Sequence, residues 1–203
     1  MGRGQGASFG MVRRFARLGA MVALLAASPA FVAPAFAAFD PLGRGPLADF
    51  LNIFSQQAIP REVVAWRGGQ APGTVVVSTS QRRLYYVLGG GQAIRYGVGV
   101  GRQGFTWSGV KTVTLKREWP DWRPPPQMLR RRPDLPRHMP GGMENPLGAR
   151  AIYLGSSLYR IHGSNEPDTI GAAVSSGCIR MTNRDVVDLY GRVRIGTKVV
   201  VTR

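Results

Sequence analysis

Thr74-Val75-Val76-Val77-Ser78-Thr79, then Ser80-Gln81-Arg82, then Arg83-Leu84-Tyr85-Tyr86-Val87-Leu88, is the stretch that decides the fold. The first run is β-branched and the second is rich in aromatic and aliphatic residues. The short polar break between them reads as the turn of a hairpin. Gly89-Gly90-Gly91 closes the second run, and residues 93–101 alternate as a third strand. Glycines at 97, 99 and 101 in that strand mark a bulge or a close approach of another backbone. Working outward, Val110-Lys111-Thr112-Val113-Thr114-Leu115, Ala149-Arg150-Ala151-Ile152-Tyr153-Leu154, Leu158-Tyr159-Arg160-Ile161 and residues 197–202 give further strand patterns. One helix is expected to begin near Thr182, opened by Asn183-Arg184-Asp185 and carrying Val186, Val187, Leu189 and Tyr190. The expected fold is mainly β and sandwich-like, with one or two short helices.

Between these strands, residues 119–143 break every period. They hold Pro120, Pro124-Pro125-Pro126, Pro133, Pro136 and Pro140, together with Arg130-Arg131-Arg132. A stretch this long without an element of its own is more often functional than filler. Trp119 and Trp122 indicate a loop packed over something rather than one left in solvent. Residues 38–72 read as an N-terminal extension or linker, with a helix plausible only over 47–57, so the domain is expected over 73–203.

Composition agrees with a turn-rich β domain. Gly and Pro number 27 and 15 among 203 residues, about a fifth of the chain, which excludes a helical bundle. The formal net charge of +16 draws the chain toward anionic polymers. Residues 1–37 combine a basic start (Arg3, Arg13, Arg14, Arg17), a short apolar run and Ala35-Phe36-Ala37, and so read as a secretory signal peptide. An uncleaved anchor is the competing reading, but Ser28, Pro29 and Pro34 interrupt the apolar run too often for a comfortable span. Arg13-Arg14-Phe15 hints at a twin-arginine signal, although the residues that follow suit general secretion better. Removing 1–37 takes four arginines and no acid, leaving +12 on an exported, periplasmic chain. Nucleic acid then drops from the list of anionic partners, and the sequence has no RNA-binding or zinc-finger motif. Wall glycopeptide, lipopolysaccharide and membrane surfaces rise.

Reactive residues are few: Cys178, His138 and His162. One cysteine excludes an intrachain disulfide, and two histidines with one cysteine make a metal site improbable. His162 ends a strand pattern in Ile161-His162-Gly163-Ser164-Asn165, and Cys178 lies 16 positions later in Ser175-Ser176-Gly177-Cys178-Ile179-Arg180-Met181. A thiol attacks a carbonyl as thiolate, and an imidazole is the common means of making one. A small-residue turn exposes backbone amides suited to an oxyanion. Taken singly, Cys178 reads equally as a small buried hydrophobe and His162 as a core histidine. Together, in an exported chain, they read as nucleophile and base. His138 in the proline-rich loop reads as a solvated loop residue.

These residues closely resemble the motif of the YkuD-type L,D-transpeptidases: a histidine, a spacer of this length with Gly171 inside it, then Ser/Thr-x-Gly-Cys. The resemblance extends to the strands from Val75, the Gly97-Val98-Gly99 strand and Asn145-Pro146-Leu147-Gly148-Ala149, over about 73–201. It implies a catalytic domain acting on peptidoglycan stem peptides without a cofactor. Cys178 would acylate at the third residue and expel D-alanine. His162 would act as general base and acid, and the amides of Ser176, Gly177 and Cys178 would form the oxyanion hole. Arg180, Asn165 and Gly163 are candidate substrate-binding residues, and 117–146 would cap the cleft. The acceptor would be a second stem's amine, a lysine of a wall-anchored outer-membrane protein, or water. Carbapenems are expected inhibitors. A non-catalytic basic wall-binding module is the alternative from a different class. The sequence departs from the motif twice. Ser176 stands where many members have a second histidine, and Gly163 stands where some have a serine that orients the first. A backbone carbonyl would then have to fix the His162 tautomer.

Overall fold

The structure, a computed structural model, describes residues 59–203. The signal peptide read over 1–37 and the helix over 47–57 lie outside the described residues. Eleven strands follow in chain order: β1 Glu62–Ala65, β2 Val75–Ser78, β3 Arg83–Gly89, β4 Gln92–Gly97, β5 Val100–Gly101, β6 Gly109–Glu118, β7 Arg150–Leu154, β8 Arg160–His162, β9 Ala173–Ser175, β10 Ile179–Arg180 and β11 Lys198–Thr202. Two α-helices accompany them, α1 Pro126–Arg131 and α2 Asn183–Arg192, with a 3-10 turn at Pro167–Thr169.

The hairpin read from the sequence is β2–β3, paired antiparallel from Val75↔Tyr86 to Ser78↔Arg83, with Arg82 at φ 55 in its turn. Nine strands then form one sheet in the order β1-β4-β3-β2-β11-β6-β7-β8-β10, while β5 and β9 make a separate parallel pair. Strand β6 belongs to two wings: residues 109–112 pair with β11, and its further half pairs with β7 through an irregularity between Val113 and Leu115. Strand β11 returns parallel beside β2. Val75, Val77, Leu84 and Tyr96 from one wing join Ile152, Leu154 and Ile161 from the other in a single buried cluster. Helix α2 completes it with Val186 and Leu189, and Thr182 caps its N-terminus by accepting from Asp185 N at 3.1 Å.

Three segments differ from the sequence reading. The extension expected as linker over 38–72 carries β1, which adds to the sheet edge by pairing with β4. Arg61 beside it meets Asp188 of α2 at 3.2 Å. A four-residue strand has too little local pattern to show itself, and its partner lies thirty residues away. The third strand, read as continuous over 93–101, breaks at Val98–Gly99, where Gly99 pairs with Arg180 instead. A side chain at Gly99 would be crowded, since a Cβ would stand 3.0 Å from the Thr169 carbonyl oxygen and 3.3 Å from Arg180 Cβ. Finally, the proline-rich stretch is ordered. It holds α1, opened by the prolines before it, and a Trp122↔Met139 bridge made by reciprocal bonds of 2.8 and 2.9 Å.

Candidate active site

The site is built by the parallel pairing of β8 and β10, in which Ile161 lies opposite Ile179 and His162 opposite Arg180. Successive side chains of a strand point to opposite faces. Ile161 and Ile179 enter the core, so Arg160, His162, Cys178 and Arg180 share the other face, and all four line one cleft of about 930 Å³. The pairing thus brings the histidine of β8 and the cysteine just before β10, 16 positions apart in sequence, to one cleft.

His162 is buried, and its Nδ1 lies 2.6 Å from the Gly163 carbonyl oxygen. A carbonyl only accepts, so Nδ1 carries the hydrogen and Nε2 keeps its lone pair. Burial pushes the imidazolium pKa down to about 3; the Gly163 carbonyl opposes this, and the charges of Arg180 and Arg160 add to it. Burial also pushes the Cys178 thiol up, against the donors of Arg160 and the charges of Arg160 and Arg180. The resting pair is therefore neutral thiol and neutral imidazole. The thiol makes a long contact to the Leu158 carbonyl oxygen at 3.6 Å.

The turn before the thiol is held from within and from outside. Ser175 Oγ donates to the Cys178 carbonyl at 2.6 Å and accepts from Gly177 N at 3.1 Å. Gly177 sits at φ +107, where a Cβ would meet the Tyr159 ring at 2.6 Å. Trp107 Nε1 donates to the Gly177 carbonyl at 2.8 Å while its ring stacks on Tyr159 at 4.6 Å. Of the three amides expected to face an oxyanion, that of Gly177 is engaged inside the turn, which leaves those of Ser176 and Cys178.

The other expected site residues separate. Arg180 lines the cleft, and its guanidinium is braced by Glu166 at 2.9 Å and Thr169 at 3.4 Å. Asn165 lines the cleft and donates to the Glu144 carbonyl at 3.1 Å. Gly163, expected to bind substrate, is buried and outside the cleft lining. Its carbonyl serves His162, and a Cβ there would collide with Asn183 Oδ1. His138 is exposed, pairs with Asp121 at 3.1 Å and stands outside the cleft lining.

Sequence reasoning named Asn183 and Asn145 within quoted segments but gave neither a role in holding this machinery. Asn183, at the start of α2, accepts from Ala149 N at 2.8 Å and donates to the Ser164 carbonyl at 2.9 Å, tying β7 to the loop after His162. Asn145 is fully buried and donates to the carbonyls of Pro120 at 3.0 Å and Pro140 at 2.9 Å, which fastens both ends of the proline-rich cap. The cap contributes Trp122, Met128, Arg131 and Leu135 to the cleft wall. Among the described residues, no group of three metal-ligating side chains occurs, and no helix is long and apolar enough to cross a membrane.

The profile of the YkuD L,D-transpeptidase catalytic domain matches residues 72–201. The chain belongs to that family. The probable L,D-transpeptidase ErfK/SrfK of Escherichia coli K12 is 38% identical over 158 residues, 71% of this chain and 48% of that protein. The probable L,D-transpeptidase YcfS of the same organism is 37% identical over 135 residues, 62% and 42% of the two chains. The chain thus spans about half the length of the curated relatives it matches. An L,D-transpeptidase structure from Mycobacterium smegmatis superposes with a TM-score of 0.52 at 18% identity, covering 64% of this chain and 58% of that one, and shows the shared fold.

Proposed function

We propose that the protein is an exported, periplasmic cysteine L,D-transpeptidase that acts on the tetrapeptide stems of peptidoglycan through an acyl-enzyme on Cys178. The observation that carries this reading is the β8–β10 register, which sets a neutral imidazole with a free Nε2 and the thiol on one face of a cleft. Because both groups rest neutral, the thiol proton passes to His162 Nε2 as sulfur attacks the carbonyl carbon at the L-centre of the third stem residue. The amides of Ser176 and Cys178 receive the oxyanion. On collapse the carbon–nitrogen bond breaks, the D-alanine amine takes the proton from His162, and a thioester remains. The amine of a second stem then gives its proton to His162 as it attacks the thioester; the carbon–sulfur bond breaks, His162 passes that proton to the departing sulfur, and the thiol is restored as a 3→3 cross-link forms. A lysine of an outer-membrane protein in the acceptor position would give anchoring instead, by the same proton transfers.

Intact-protein mass spectrometry tests the acyl-enzyme. Incubated with tetrapeptide, and separately with a carbapenem, the protein is expected to gain one acyl group, or one drug molecule, on Cys178. A mass gain that persists in Cys178→Ala, or none in the native protein, would overturn the reading.

A further inference from the structure

We propose that Arg102 and Arg131 form an anion subsite in the cleft that grips a carboxylate of the donor stem peptide; this rests on the transpeptidase reading above. Five arginines line the cleft: Arg102, Arg131, Arg132, Arg160 and Arg180. Three have occupations. Arg132 holds Asp134 at 2.7 Å, Arg180 holds Glu166 at 2.9 Å, and Arg160 is engaged at the nucleophile, donating to the Cys178 sulfur while lying 5.0 Å over the Tyr153 ring. Arg102 and Arg131 differ. Neither has a carboxylate within ion-pair range among the described residues, yet both are drawn over one ring, Phe105, at 4.4 and 5.6 Å from its centroid. Two charges so placed stand at most about 10 Å apart, so one anionic peptide can meet both. Glu144, the other acid of the cleft wall, is paired with neither.

The two arginines come from different parts of the chain. Arg102 follows β5, and Arg131 ends α1 in the cap. Phe105 between them is fastened to the nucleophile turn: its carbonyl oxygen would lie 2.5 Å from a Cβ on Gly101 and 3.1 Å from one on Gly177. The pair is therefore set where the cap meets the turn that carries Cys178. Both guanidiniums lie within 6 Å of one ring centroid without a carboxylate partner, and the two oxygens of a carboxylate match the donor fork of a guanidinium. Stem peptides offer two such groups away from the scissile bond, the α-carboxylate of the D-glutamate and the D-centre carboxylate of the diamino acid. An anion at this position supplies the missing partner and links cap to turn only when substrate is present.

The test is kcat/KM for D-alanine release by the full chain and by Arg102→Gln/Arg131→Gln, on tetrapeptides with both carboxylates free, with either amidated, and with both amidated. The expected result is a loss of about 10- to 100-fold in the double variant on the free peptide, carried by KM. Little loss is expected on the doubly amidated peptide, and the singly amidated peptide that abolishes the effect identifies the carboxylate held. An equal loss on all peptides, or no loss on the free one, would overturn the proposal. Both side chains are exposed, so the variants are expected to fold, and their urea midpoints verify it. Calorimetric binding to Cys178→Ala separates this proposal from the transpeptidase reading. If no D-alanine is released from any peptide, the transpeptidase reading fails. The subsite stands if the free peptide still binds about tenfold or more tightly than the amidated one through these arginines, and falls if it does not.

Discussion

At His162 two influences act on different nitrogens. The Gly163 carbonyl fixes the hydrogen on Nδ1, and burial keeps the second proton off Nε2, with the pKa lowered to about 3. In the unfolded chain the same imidazole takes its proton near 6.5. The unfolded state therefore binds more protons between those values, so His162 contributes stability in full above about pH 6.5 and loses it as pH falls toward 3. Urea unfolding at pH 7.5 and 4.5 is expected to show a larger acid loss for the native protein than for His162→Gln; equal losses would contradict the buried neutral imidazole. The same variant is expected to release D-alanine about 10²- to 10⁴-fold more slowly. Asn183 matters for another reason. Replaced by Ala, it leaves Ala149 N–H and the Ser164 carbonyl without their partner, and a loss of about 2–3 kcal/mol in urea unfolding is expected. Cys178 and His162 were legible in the sequence because each carries rare chemistry beside a turn or strand end. The holding roles of Trp107, Asn145 and Asn183 were not, since an indole or amide that bonds to a distant carbonyl leaves no local pattern.

Among elements, legibility followed the range of the pairing. The β2–β3 hairpin, β7 and α2 with its Thr182 cap are locally encoded and appear where the sequence puts them. The edge strand β1, the break at Gly99 and the parallel insertion of β11 beside β2 depend on partners far along the chain, and local propensity carries no trace of them. Helix α1 was hidden by the prolines that open it. The turn entering β7 shows how tightly such elements meet. Gly148 sits at φ +62, and a Cβ there would lie 2.5 Å from Ser164 N and closer still to Asn183 Oδ1. Gly148→Ala is expected to destabilise by about 1–3 kcal/mol and to lower activity together with stability, checked by urea midpoint and D-alanine release. Trp107→Phe keeps most of the stacking on Tyr159 but gives up the bond to the Gly177 carbonyl. It is expected to cost about 0.5–1.5 kcal/mol of stability and to reduce kcat more than it raises KM.

For the molecule as a whole, the shared strand β6 joins two wings over one core, and that arrangement leaves β8 and β10 presenting a single face to the cleft. Five arginines against two glutamates in the cleft lining make its wall net positive, which suits an anionic glycopeptide. Binding of the full chain to purified wall sacculi is expected to weaken steadily as salt rises from about 0.05 to 0.5 M, and salt-independent co-sedimentation would contradict an electrostatic contribution. The measurement that bears most directly on the central claim is incubation of the full chain with purified disaccharide-tetrapeptide carrying diaminopimelate, followed by mass spectrometry, with Cys178→Ala alongside. The account requires a cross-linked dimer that has lost one D-alanine, present with the native protein and absent with the variant. A dimer formed equally by the variant, tripeptide without dimer, or unchanged substrate with the native protein would contradict it.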